Sequence, residues 1–298
     1  MKVLSGITTF NPNVERLKKN IEAIQGQTDQ VLVVDNNSKN IEQISAITKN
    51  YSSVELLRLN ENKGIAYAMN EMGKYAYKNG YEWFLTLDQD SVCPENMILT
   101  YIDGIKEGVA IIFPSIKFNR RFIGQLFGEK RIEENKNIQD YEEAKYAVSS
   151  GQFIKTSVWK EVGGFWDYLF IDYVDQEFCF HVRSIGYKLI KANRCIMDHE
   201  PGIPVKVFGI PTAKQSALRE YYCSRNSRLV YWLYKKEFKS AMPHTPFFLG
   251  IKRVANTILV RENVINKLWA ISKGVVDAYK WKMKYYKLGR YPENIIRV

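Results

Sequence analysis

No two of the four cysteines, Cys93, Cys179, Cys195 and Cys223, stand in a C-x-x-C pair. That scatter argues against a disulfide framework or a cysteine-ligated zinc site and predicts reduced, mostly buried thiols in a cytoplasmic protein. Histidine is as scarce, with three in 298 residues. Neither a Walker A loop nor a G-x-G-x-x-G turn occurs, which counts against P-loop nucleotidases and dinucleotide oxidoreductases. No apolar run approaches the ~20 residues that span a bilayer. The N-terminus enters a strand-like segment directly, with no signal-peptide pattern. Internal repeats and low-complexity tracts are also missing.

What the chain has is apolar mass and an uneven charge. It is 46% hydrophobic and 13% aromatic, enough to bury a full core without staples. The formal net charge is +11, yet residues 200–298 hold 19 Lys and Arg against 6 Asp and Glu, and residues 1–199 hold 24 against 26. A basic segment set apart from a near-neutral body predicts an anionic partner, such as a membrane surface or a lipid phosphate. No DNA or RNA module is recognisable, so nucleic acid is set aside.

The first half alternates short apolar runs with helical periodicity. Strands are predicted over Val3–Thr9, Val31–Val34, Val54–Leu59 and Trp83–Leu87, with helices over Val14–Ile24, Ile41–Lys49 and Ile65–Lys78. Such alternation predicts βαβ units and a mostly parallel sheet, with ligands at the carboxyl ends of the strands. Asn11, Asp35, Asn60 to Gly64 and Asp88 all fall there. Lys117–Lys145 is polar and weakly periodic and is expected to be a long insertion or mobile loop. A helix is expected over Val174–Ser184, and from about Phe208 the pattern turns mainly helical. The domain boundary is placed between residues 205 and 206.

Leu87-Asp88-Gln89-Asp90-Ser91 sets two carboxylates two residues apart at a strand end. Side chains i and i+2 of a strand share a face, so both could approach one oxygen-loving cation such as Mg2+ or Mn2+. With no Gly-rich phosphate loop, a bound diphosphate must be neutralised largely by such a metal. Acidic turns after strands are common, however, and this spacing alone is weak. Phe170–Phe178 carries Asp172, Asp175 and Glu177 at the head of a helical run. The helix dipole favours acids in a first turn, but three exceed what capping needs, and one could serve as a general base. His199 follows the strand-like Tyr187–Lys191 and a short loop; it reads as a satisfied histidine or a metal ligand.

Taken in order, these segments resemble the family 2 glycosyltransferases, and more narrowly their bacterial rhamnosyltransferase branch. The matching pieces are Val34–Ser38, Asn62–Asn70, Leu87–Ser91, Ser149–Gly151, Gly163–Phe165, Phe170–Phe180, Asp198–Gly202 and Arg219–Asn226. They cover about residues 2–230. One departure is His181, where relatives often carry Arg; it puts a local diphosphate or helix-packing contact in doubt.

The resemblance implies an α/β GT-A fold with one nucleotide-sugar site and a helical C-terminal region for an acceptor or a membrane surface. Thr8, Thr9, Asn11 and Asp35 would hold the base and ribose. Asn37, Asn62, Gly64, Asn70, Gln89 and Gly151 would add substrate contacts. Asp88 would lie near ribose and metal, Asp90 would bind the metal directly, and His199 would be a further ligand for Mn2+ or Mg2+. Asp175 would be the general base, with Asp172 and Glu177 raising its pKa or orienting the acceptor. The reaction so implied is an inverting transfer of L-rhamnose from dTDP-L-rhamnose to a saccharide, lipid-linked through a polyprenyl diphosphate, in surface polysaccharide synthesis. The protein would then be cytoplasmic or peripheral on the inner face of the cell membrane. A UDP-sugar-dependent hexosyl- or galactofuranosyltransferase is the alternative within the class, and a catalytically silent sugar- or nucleotide-binding scaffold the alternative outside it. The oligomeric state and the acceptor stay open.

Overall fold

The computed structural model describes residues 1–118, 139–199, 204–207, 210–242 and 244–286. In chain order its elements are β1 (Val3–Thr9), α1 (Val14–Ile24), β2 (Gln30–Asp35), α2 (Ile41–Thr48), β3 (Val54–Arg58), α3 (Ile65–Lys78), β4 (Trp83–Asp88) and β5 (Ser91–Val92). There follow α4 (Met97–Asp103), β6 (Val109–Phe118), β7 (Tyr141–Glu143), β8 (Gln152–Lys155), α5 (Thr156–Glu161), α6 (Val174–Ser184) and β9 (Lys188–His199). The chain ends in β10 (Pro204–Val207), β11 (Ile210–Ala213), α7 (Ala217–Tyr234), α8 (Pro246–Val260) and α9 (Val264–Tyr286).

A nine-stranded sheet runs β3-β2-β1-β4-β8-β6-β9-β5, with β7 also paired to β9. Its first four strands are parallel, as the alternating helices require, and β8 runs antiparallel between β4 and β6. Period-2 alternation divides the core. Leu4, Leu32, Val34 and Phe84 face α3 and α5, whereas Val3, Ile7, Val31, Val33 and Leu85 face α1 and α4. On the α3 side, a side chain at Gly6 would collide with Met72 and one at Gly73 with Trp159, so both glycines allow close layer packing.

Two expectations need correction. The polar stretch 117–145 is not all loop: β6 extends through Phe118, and Tyr141–Glu143 adds an antiparallel strand against β9; residues 119–138 lie outside the described ones. The loop expected before His199 is instead part of β9, whose pairing to β6 breaks register between Pro114 and Ser115 while Ser115 Oγ bonds the Asn193 carbonyl. Asn193 and Arg194 hid the continuation of the strand beyond Lys191 because they interrupt the apolar pattern. Positions 205 and 206, between which the boundary was expected, lie in β10 of the β10–β11 hairpin, and α7 begins at Ala217.

α7 and α9 pack closely, since Gly274 leaves room for the Tyr221 carbonyl and Trp281 meets Trp166 at 5.7 Å. Among the described residues, no helix is long and apolar enough to cross a membrane.

Candidate active site

The carboxyl ends of β1, β2 and β4 lie side by side: Thr9 pairs with Asp35 and Thr8 with Asp88. The Asp35 carboxylate is fully buried and accepts from Thr9 Oγ1 at 3.0 Å, Ser38 Oγ at 2.5 Å and Ser38 N at 2.9 Å. Asn11 and Asn37 are both left-handed, with φ of 48° and 63°. Asn11 donates its N–H to Ser38 Oγ at 2.8 Å and accepts from Lys39 N at 2.9 Å, which ties the β1 loop to the β2 loop. Asn37 Oδ1 accepts from Arg58 at 3.3 Å, and Asn62 Oδ1 accepts from Gly64 N at 3.0 Å. The residues expected to hold base and ribose therefore form one rim.

Asp88 ends β4, and Gln89-Asp90 form a turn into β5. Strand alternation thus does not set the relation of the two carboxylates, because Asp90 lies in the turn and not in the strand. Asn20 of α1 donates to the Asp88 carbonyl and Arg16 to the Asp90 carbonyl, each at 2.8 Å. Ser150 Oγ accepts from Asp88 N at 3.0 Å, and Gln89 Oε1 accepts from Phe10 N at 2.8 Å. Gly151, at φ 86°, seats this segment on β4 through its N–H to the Thr86 carbonyl at 2.7 Å, and a Cβ there would strike Pro114. Ser91 pairs with His199, so the backbone of β9 brings His199 next to the Asp88–Asp90 turn. The His199 side chain lies outside the described residues. Among those described, no three His, Cys, Asp or Glu side chains converge on a metal-sized point. The two carboxylates borne by this pinned turn are oxygen donors of the kind a hard divalent cation takes.

The acidic loop is the strained part of the site. Phe170, Asp172 and Tyr173 take φ of 63°, 62° and 67°, a region that costs each non-glycine residue about 1–3 kcal/mol. Its contacts hold it there. The Phe170 carbonyl accepts from Ile65 N at 2.7 Å, at the start of α3, and its ring stacks on Tyr222 at 4.8 Å. Arg219 grips the Asp172 carboxylate with Nε at 3.2 Å and Nη2 at 2.5 Å. Buried Asn226 points Nδ2 at the carbonyls of Leu169, Ile171 and Asp172, each at 2.9 Å, and accepts from Arg225 Nε at 2.9 Å. Arg225 also donates to the Tyr168 carbonyl and lies over that tyrosine's ring at 4.2 Å.

Immediately after this loop, α6 places Asp175 in its first turn, accepting from Gln176 N at 2.9 Å. Burial raises the Asp175 pKa to about 6; the Gln176 N–H opposes this, while the negative charges of Asp88 and Asp172 add to it. The DxD turn and the acidic block, far apart in sequence, are therefore electrostatic neighbours. An aspartate poised near neutral pH is suited to taking a proton from a hydroxyl.

Two of the residues expected to contact substrate lie fully buried, bonded to protein groups. Glu177 is fully buried and accepts from Tyr234 OH at 2.7 Å, because two residues along a helix is about 200° of rotation from Asp175. Asn70 is also fully buried: its Oδ1 accepts from Phe165 N at 2.8 Å and Trp159 Nε1 at 3.3 Å, and its amide donates to the Phe165 carbonyl at 2.9 Å. Conversely, Arg219, Arg225 and Asn226 had no expected role. Their signal in the sequence is a helical run, Ser224–Arg228, that proves to be entirely buried although polar, an arrangement retained only when each group finds partners.

Comparison with known proteins agrees with this architecture. The sequence profile "Glycosyl transferase family 2" matches residues 6–163, more than half of the chain. The dTDP-rhamnosyl transferase RfbF of Shigella flexneri is 28% identical over 286 residues, spanning 91% of this chain and 92% of that protein. Among solved structures, S. aureus TarS 1–349 superposes with a TM-score of 0.54 at 15% identity, covering 98% of this chain and 93% of that one. GalNAc-T7, crystallised with UDP, GalNAc and Mn2+, gives 0.58 at 13% identity, covering 98% of this chain and 58% of that one. Such low identities carry the fold alone, and that fold is GT-A. The profile match, set on a parallel half-sheet whose strand ends carry Asp35 and Asp88, establishes that the chain belongs to glycosyl transferase family 2.

Proposed function

We propose that this glycosyltransferase moves L-rhamnose from dTDP-L-rhamnose, with inversion, onto a saccharide acceptor carried on a polyprenyl diphosphate at the inner face of the cell membrane. The observation that carries the donor is the similarity to RfbF, which runs through nearly the full length of both chains. In this reading the Asp35 rim, with Thr8, Thr9, Asn11 and Asn37, receives the nucleoside. Gln89 and the loops at Asn62–Gly64 and Gly151 shape the floor. Asp175 accepts the proton of the acceptor hydroxyl as that oxygen bonds to the anomeric carbon and the bond to the diphosphate breaks. Attack from the face opposite the leaving group inverts the centre in one displacement. The Asp172–Arg219 pair fixes the loop in front of the base.

Asp88 and Asp90, with His199 beside them, would hold Mn2+ or Mg2+. The cation would neutralise charge developing on the departing diphosphate.

Calorimetric titration with dTDP-rhamnose, UDP-glucose and UDP-galactose, each with and without Mn2+, tests the assignment. Manganese-dependent binding of dTDP-rhamnose alone is the expected result. A preference for a UDP-sugar would overturn the rhamnosyl donor, and no binding of any donor would overturn the enzymatic reading.

A further inference from the structure

α9 is apolar on two sides. Its inner side, Ala270, Ile271, Gly274, Ala278 and Trp281, packs on α7 and the body. Its outer side carries Ile265, Trp269, Val276, Tyr279 and Met283, separated by four, seven, three and four residues, so they form one helical stripe. These side chains are 83%, 65%, 49%, 51% and 57% exposed. α8 repeats the arrangement: Phe247, Ile251 and Ile258 share a face and are 75%, 54% and 53% exposed. A turn with left-handed Arg261 and Asn263 joins the helices, so Ile258 and Ile265 flank one bend. Lone exposed apolar residues are ordinary, but two aligned rows on neighbouring helices mark a contact surface.

Charge decides the partner. Exposed Lys273, Lys280 and Lys284 border the α9 stripe along one flank, and exposed Lys252 lies on α8. Lys273 Nζ sits 5.1 Å from the centre of the Trp269 ring. The acid within that flank, Asp277, accepts from Tyr221 OH at 2.9 Å and lies 3.9 Å from Lys280. A second copy of the chain would bring the same positive flank against itself. An anionic lipid surface accepts both components at once, the apolar row at the acyl boundary and the lysines among headgroup phosphates.

We propose that the outer face of the α8–α9 hairpin seats on anionic phospholipid, lying in the interface without crossing it. This rests on the reading of a lipid-linked acceptor, because such a face would hold the catalytic cleft where that acceptor is anchored. The test is flotation of the full chain with vesicles of phosphatidylcholine alone or mixed with phosphatidylglycerol, at low and high salt. Wild-type protein should float with the anionic vesicles and release in salt. Trp269→Glu and Ile265→Glu should each weaken partitioning about tenfold or more, the equivalent of withdrawing one large apolar side chain, while transfer to a soluble acceptor stays at the wild-type level. Absent flotation, or flotation indifferent to these substitutions, overturns the proposal. So does a light-scattering dimer that the substitutions disperse without any flotation. Protein that floats but transfers nothing from dTDP-rhamnose would sink the donor assignment and leave the docking face standing. Transfer without flotation would do the reverse.

Discussion

Replacing Asn226 by alanine removes the donor shared by three carbonyls of the strained loop. Its Nδ2 stands 2.9 Å from the oxygens of Leu169, Ile171 and Asp172, and no water can readily replace it because Asn226 is fully buried. Each buried polar group left without a partner costs about 1–3 kcal/mol. The lost bonds no longer offset the left-handed strain at Phe170, Asp172 and Tyr173, so the loop should relax locally before the whole protein unfolds. The expected fall in global stability is about 2–4 kcal/mol, a melting point lowered by roughly 3–6 °C in a chain of this length. Turnover should fall further than this implies. Asp175 stands three residues beyond Asp172, the last residue released, and displacing a base by ~1 Å costs on the order of a hundredfold in rate. Donor affinity should hold, since Asp35 and Asn11 are tied to β1 and β2 and not to α7. Steady-state kcat and KM, donor calorimetry and a thermal melt measure all three. Asn226→Asp, which keeps the shape and the Arg225 contact but donates nothing, should reproduce the loss of kcat. An Asn226→Ala enzyme that melts early yet keeps kcat within about twofold refutes the positioning argument.

Other outcomes follow from the same geometry. Because the Asp175 pKa is raised to about 6, its required ionised form is depleted as pH falls, and kcat/KM should drop about tenfold per pH unit below that value; a flat profile down to pH ~5 would remove Asp175 as the base. The same shift means the folded state disfavours the charged carboxylate at pH 7 relative to the unfolded chain, a cost relieved as pH falls through about 6. Asp175→Asn should therefore abolish turnover while raising the melting point at pH 7, and a lowered melting point would contradict the electrostatic account. Asp90→Asn should weaken Mn2+ binding to the donor complex at least about tenfold by calorimetry; unchanged affinity would mean this carboxylate holds no cation. Gly64→Ala places a Cβ 2.5 Å from the Phe170 carbonyl oxygen at a φ of +87°, so kcat should fall through the displaced loop, and wild-type kcat would show that the α3 terminus does not brace it.

The parallel half of the sheet was legible because its apolar runs are short, β-branched and punctuated by turn residues, and the strand ends pointed directly to Asp35 and Asp88. Of β9 only the start was legible, as the strand-like Tyr187–Lys191; its continuation was not, since Asn193 and Arg194 break the apolar pattern at a register shift against β6. Asp175 and Glu177 look equivalent in the sequence; helical rotation leaves one beside the charges of Asp88 and Asp172 and sends the other to Tyr234. That distinction was available from periodicity. The role of Asn226 was not, because it depends on carbonyls more than 50 residues away whose orientation comes from left-handed residues that carry no glycine to announce them.

The brace between α7 and the acidic loop also bears on how such enzymes diversify. The loop lies before residue 184 and its clamps, Arg219, Arg225 and Asn226, lie after residue 216. Recombination between relatives anywhere in the intervening stretch would join one parent's loop to another parent's helix. The two halves would each fold on familiar lines and still meet with mismatched contacts at the base. Segments 168–184 and 217–228 therefore form one structural cassette, separated in sequence by β9 and the β10–β11 hairpin, and grafts onto this scaffold should carry both pieces from the same parent.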